Sequence, residues 1–306
     1  MLPGILFFTA GFSIVLSENL RAENSADFSS DLTADLTSDL RTFCAEQNRT
    51  VTGISTLLLA ARRCGYTRSA QSGILWQTDI LGSSAVMPAH ARYNGSPPDM
   101  LKSAGRLSQI REEIQSVKAG ALISRGLLTG SFFFMGWPGQ KWNEPESRHG
   151  GAGASLYFRI LTEKFYRWTI LGGGGYGYSA GRIRGSMHIP AGSWVTGNPG
   201  FSGDTASSWN THAVYNEILI GKNVLLVNFY AGLSGGIMPS AAATSVTGTS
   251  QGIAMSASAH TRSIENFFII RCGWELILGK AQIVMEGARD WKSGALSAVW
   301  GIKFNG

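Results

Sequence analysis

The sequence predicts an all-β fold: a closed antiparallel transmembrane β-barrel of about eight strands, with ten to twelve as the upper range, preceded by a short helix. Three observations carry this. The first is the stretch RWTILGGGGYGYSAGR, residues 167–182. At period two its even positions are Trp168, Ile170, Gly172, Gly174, Tyr176, Tyr178 and Ala180; its odd positions are Thr169, Leu171, Gly173, Gly175, Gly177 and Ser179. One face is apolar with aromatics near both ends, and the other is small and nearly bare. A transmembrane strand needs about 9–11 residues, with apolar side chains to lipid and aromatics at both interfaces. A phosphate-binding loop needs a helix N-terminus just after its glycines, and here the alternation simply continues.

The second observation is composition. Charged residues make up 15% of the 306-residue chain, well below the roughly 25% of soluble domains. Glycine contributes 39 residues and tryptophan nine. After residue 17 no stretch stays apolar long enough for a spanning helix, while alternating strands need only every second residue to be apolar. Lysine and arginine are scattered, the net charge is +6, and no basic run is interleaved with aromatics, so nucleic acid is not an expected partner.

The third observation is the rhythm of the connections. Eight strands are read at 131–137, 151–161, 167–182, 209–220, 224–236, 264–278, 281–291 and 295–304. The segments between them run 138–150, 162–166, 183–208, 221–223, 237–263 and 279–280, long alternating with short, before a final 292–294. Outer-membrane barrels alternate short periplasmic turns with longer external loops. The last strand is the cleanest: Leu296, Ala298, Trp300, Ile302 and Phe304 face one way, and Ser297, Val299, Gly301 and Lys303 the other. Strand 209–220 is the weakest, because neither face is clearly apolar.

Upstream, residues 1–17 form an apolar block and Ala22 is a fitting last residue of a signal peptide spanning 1–22. The repeat FSSDLTADLTSDL puts Phe28, Leu32, Leu36 and Leu40 on one helical face, as a short amphipathic helix or acidic linker. Residues 51–60 and 72–81 read equally as strands or short helices. Residues 23–97 are therefore expected to be an N-terminal linker or a small periplasmic or passenger region. From 98 to 121, Leu101, Ala104, Leu107, Ile110, Ile114, Val117 and Ala121 are spaced by three and four, which predicts an amphipathic helix. The barrel is expected to fill 122–306. Cys44 and Cys64 are placed to close a loop in an oxidising compartment, and Cys272 is read as a small lipid-facing strand residue.

From about residue 98 onward the chain resembles the C-terminal β-barrel domain of bacterial autotransporters. The resemblance lies in a helix followed by GSFFFMGW, GAGASLYFRIL, GGGGYGYSAGR, VYNEILIGKNVLLVNFYAGLSGG and the closing GALSAVWGIKF. It implies a protein of the outer membrane of a Gram-negative-type bacterium, anchoring or presenting a short N-terminal region. The implied partners are outer-membrane lipids and the barrel-assembly machinery. Family barrels have twelve strands around a helix and end on an aromatic residue, whereas here Asn305 and Gly306 follow Phe304. An eight-stranded barrel is filled by its own side chains and has no room for a helix.

Two other functions stay open, a small porin-like pore and a hydrolase with its site at the barrel rim. The residues available for rim chemistry are Ser147, His149, Asp204, His212 and Asp290, and no spacing rule singles them out. Arg159, Glu265, Arg271, Glu275 and Lys303 fall on predicted inner faces, where they either pair across the lumen or line a pore. No catalytic, cofactor-binding or metal-binding residue is assigned, and no cofactor is expected.

Overall fold

The computed structural model describes residues 12–15, 26–60, 74–86, 113–137, 146–162, 168–189 and 200–305. A short strand β1 (Phe12–Val15) and a long helix α1 (Ala26–Ala60) precede ten strands. These are β2 (Ile74–Val86), β3 (Glu113–Arg125), β4 (Leu128–Trp137), β5 (Glu146–Thr162) and β6 (Trp168–Ile189). Then follow β7 (Phe201–Val224), β8 (Val227–Ser250), β9 (Ile253–Leu278), β10 (Ala281–Asp290) and β11 (Leu296–Asn305). Each of the ten pairs antiparallel with its sequence neighbours, and β11 pairs with β2, so the sheet closes on itself as a ten-stranded barrel. Closure leaves no edge between β2 and β11. β1 pairs separately, against Ala254–Ala257 of β9.

Alternation governs every wall. In β11, Leu296, Ala298, Trp300, Ile302 and Phe304 face outward and Ser297, Val299 and Lys303 are buried inside, as the sequence predicts. In β6 the aromatics Trp168, Tyr176 and Tyr178 point outward and the bare face points in. That bareness is required. A Cβ at Gly175 would lie 2.6 Å from the Tyr215 hydroxyl and 2.8 Å from Ser155, and one at Gly177 would lie 3.1 Å from Leu59 of α1. The glycines clear the space into which inner side chains and the helix pack.

The barrel is lopsided. The strands β6 to β9 have 22, 24, 24 and 26 residues, against ten each in β4, β10 and β11. At about 3.4 Å per residue, the longest strands outrun any bilayer. Their outer faces change character partway up. Trp168, Tyr176 and Tyr178 on β6 give way to Arg182 and Arg184; Val214, Ile218 and Ile220 on β7 give way to Asn210, Ser208 and Asp204. On β8, Phe229, Leu233 and Ile237 give way to Ala243, Ser245 and Thr247, and on β9 Ile264, Phe268 and Ile270 give way to Arg262 and His260. The switch follows one line across the sheet, because Tyr178 pairs with His212, Val214 with Ile237, and Ile237 with Asn266.

Several expectations change. Residues 113–121, expected to be helical, belong to β3; the rest of the expected 98–121 helix lies outside the described residues. Ile114, Ser116, Lys118, Leu122 and Ser124 face inward and Val117 and Ile123 outward. Both faces thus carry apolar residues, and their combined spacing mimics a helical stripe. The described residues of 23–97 form α1 and β2, the filling and one wall strand of the barrel. Residues 51–60 are helix; β2 and β3 join the eight strands read from the sequence, so the barrel has ten, within the expected range. The expected loops at 183–208 and 237–263 are largely strand, since β6 runs to Ile189, β7 starts at Phe201, and Gln251-Gly252 forms the whole β8–β9 turn. Of the expected signal peptide, only Phe12–Val15 lies among the described residues.

Candidate functional site: a lumen filled by a helix

Ten strands leave room for one helix, and α1 occupies it. Between Gln47 and Leu59 almost every side chain is buried, on all sides of the helix. A helix enclosed all round needs no polar face, but its hydroxyls and amides need partners. Thr50, Thr52 and Thr56 donate to the carbonyl oxygens of Glu46, Asn48 and Thr52 at 3.0, 3.1 and 2.9 Å. The Asn48 amide nitrogen donates to the Ala259 carbonyl at 3.0 Å and to the Thr261 hydroxyl at 3.1 Å, and its oxygen accepts from Thr244 at 2.7 Å. The Trp209 indole donates to Ser55 at 3.1 Å.

These contacts orient the helix. Cys44 faces Ala257 near the far end of β9, Asn48 meets β8 and β9, Ser55 meets the middle of β7, and the Leu58 carbonyl accepts from Lys118 in the middle of β3. The helix therefore descends along the tall wall of β7 to β9 and stops halfway down, opposite Gly177. Leu36, Leu40, Phe43, Ile54 and Leu57 join Ile183, Val246 and Phe267 in one apolar core inside the barrel. Cys44 is a buried free thiol, and Cys64, its expected partner, lies outside the described residues; Cys272 is also free and points outward, as expected.

Below the helix the lumen closes on charge. Arg271 pairs with Glu217 and lies 3.8 Å from Glu286. Glu217 also accepts from Tyr157 at 2.6 Å and Ser234 at 2.8 Å, and Glu286 accepts from Tyr230 at 2.9 Å. Lys303 pairs with Glu275. All four charged side chains of these two pairs are at most 1% exposed. Of the charges expected inside, Arg159, Arg271, Glu275 and Lys303 are buried there, and Arg271, Glu275 and Lys303 are paired as the narrow-barrel reading requires. Glu265 is half-exposed, 3.9 Å from Lys292. Glu217 and Glu286 escaped sequence reading, because β7 shows no apolar contrast and a single inward glutamate carries no spacing signal.

The rim residues do not converge. His149 is buried on the inner wall of β5, whereas His212 sits on the outer wall of β7, its Nδ1 2.7 Å from the Tyr176 hydroxyl. Asp204 is exposed on the outside of β7. Asp290 closes the β10–β11 turn, accepting from the backbone of Phe268 and Ser293 at 3.2 and 3.1 Å and from the Ser293 hydroxyl at 2.5 Å. Of Ser147 only the backbone on β5 is described. Among the described residues no group of three or more His, Cys, Asp or Glu is placed to hold a metal ion.

No family model matches the chain, and no curated protein sequence matches it. Solved structures do. The outer membrane protease OmpT from Escherichia coli matches at 11% identity over 78% of this chain and 99% of its own, with a TM-score of 0.43. The translocator domain of the autotransporter NalP from Neisseria meningitidis matches at 10% identity over 92% and 99%, with a TM-score of 0.35. The transport unit of the autotransporter AIDA-I from Escherichia coli matches at 10% identity over 84% and 98%, with a TM-score of 0.28.

Proposed function

We propose that the chain is an outer-membrane β-barrel of a Gram-negative-type bacterium, autotransporter-like, that holds its own N-terminal segment in the lumen and anchors it at the surface. The observation that carries the reading is the line on β6 to β9 where the outer face turns from apolar to polar. Below it, a closed wall of exposed Leu, Ile, Val, Phe and Trp suits hydrocarbon and nothing aqueous. The short turns Gly126-Leu127, Leu225-Leu226 and Gly279-Lys280 lie at the lower end, the periplasmic side in such barrels. The helix N-terminus then points outward.

A barrel filled by α1 and sealed below by buried ion pairs is an anchor in this state rather than an open pore. The non-enzymatic reading is supported by the placement of His149 and His212 on opposite faces of the wall. Residues 1–22 are proposed as the export signal, and outer-membrane lipids and the barrel-assembly machinery as partners. Fractionation of the native host tests the reading: the mature chain, starting after Ala22, is expected in the outer membrane. Recovery as a soluble protein contradicts it.

A further inference from the structure

The outer surface of the barrel carries a furrow. In the register of β8 to β11, Phe229 pairs with Trp274, Trp274 with Met285, and Met285 with Trp300. Two residues further up the same face, Ala231 pairs with Cys272, Cys272 with Gly287, and Gly287 with Ala298. The next row up is large again: Leu233, Ile270, Arg289 and Leu296. Same-face residues of one strand are about 6.7 Å apart, so one row of minimal side chains between two large rows leaves a trough about the width of a single hydrocarbon chain. The cavity measures about 790 Å³. A Cβ built at Gly287 meets nothing within 4 Å, which confirms that the floor is open outward.

The furrow is inclined and charged at one end. It begins beside Lys222 and Trp168, next to the β7–β8 turn, and climbs to Ala298 in the upper half of the short β11. The Lys222 ammonium lies 4.9 Å from the centre of the Trp168 ring. A cation at the periplasmic interface with an apolar trough rising from it complements a phosphate headgroup with its acyl chain. A second barrel fits less well, because a wall bulging outward does not fill a trough one row wide.

We infer that this furrow holds one anionic phospholipid of the periplasmic leaflet, an acyl chain lying over Ala231, Cys272, Gly287 and Ala298 and the phosphate on Lys222. The inference rests on the membrane reading above. The test uses the full chain in neutral detergent, titrated with phosphatidylglycerol or phosphatidylethanolamine and read by native mass spectrometry. One phosphatidylglycerol is expected to stay bound. Filling the furrow with Gly287→Leu and Ala298→Leu should reduce the retained lipid about tenfold, as when two methylenes no longer dock. Lys222→Gln should weaken phosphatidylglycerol about fivefold and phosphatidylethanolamine, whose phosphate is offset by its own ammonium, by less. Protease resistance after insertion into vesicles is measured for every variant. Failure of the native chain to insert overturns the membrane reading and the lipid site together. Equal lipid retention by inserted native and furrow-filled chains overturns the lipid site alone, and so does a dimer that the filled furrow abolishes.

Discussion

The ammonium of Lys118, on the inner face of β3, donates to the carbonyl oxygen of Leu58 in the last turn of α1. The last carbonyls of a helix lack partners within the helix and carry its negative dipole end. Lys118 is 1% exposed, so it meets both needs where no water can. The barrel wall thus caps the helix that fills it.

Replacing that cap by Lys118→Met keeps the volume and removes the charge. A hydrogen bond to a charged group is worth about 1.5–3 kcal/mol, and a loss of that size is expected in urea unfolding of the chain in vesicles. Lys118→Arg should recover part of it.

The Arg271–Glu217 pair makes a sharper case. Removing one partner of a buried pair costs about 3–5 kcal/mol, because the other charge stays buried without compensation. Arg271→Met should therefore destabilise the barrel by that amount in the same assay. Arg271→Met with Glu217→Gln should cost less than Arg271→Met alone.

Two glycines separate inside from outside. Gly177 faces Leu59 of α1, whereas Gly287 faces open space outside the wall. Gly177→Leu should prevent the helix from seating, seen as loss of protease protection of residues 40–60. Gly287→Leu should leave that protection unchanged.

The helix and the ion pairs below it together decide conduction. In planar bilayers the native chain should show little steady conductance, and a variant that lacks 26–60 and also carries alanine at Glu217, Arg271, Glu275 and Lys303 should open a stable pore, whereas removal of 26–60 alone should leave the charged seal in place. A native conductance as large as that of the unsealed variant would support the porin-like alternative.

What the sequence could express was the outer surface below the polarity line. There lipid demands apolar residues on one face only, so Leu296 to Phe304 and Trp168 to Tyr178 alternate visibly. Above that line both faces are small and polar, as in SAAATSVTGTS at 240–250, and strand reads as loop. The first half of the helix shows in the leucine stripe from Phe28 to Leu40, but the second half was hidden for a different reason. Enclosed on all sides by a partly polar wall, Gln47 to Leu59 mixes threonines with leucines and shows no amphipathic stripe. β3 was misread because Ile114 and Leu122 pack inside while Val117 and Ile123 meet lipid, giving intervals of three, five and one that blend into a helical pattern. The luminal ion pairs join residues far apart in sequence, such as Glu217 with Arg271 and Glu275 with Lys303. Each joins strands two apart in the sheet, β7 to β9 and β9 to β11, so only the pairing and register of the strands between bring them together.

A cysteine scan along β8 tests most directly that a membrane-spanning barrel with a tall external wall is formed. Single cysteines from 228 to 249 are placed in a chain whose own three are replaced by serine, and each is challenged in vesicles with a lipid-soluble and a water-soluble thiol probe. The lipid-soluble probe should label 229, 231, 233, 235 and 237 and miss the even positions between them. The water-soluble probe should take over on the outward positions 243, 245, 247 and 249. Labelling without alternation, with a helical period, or with no change of probe along the strand would contradict the barrel and its boundary.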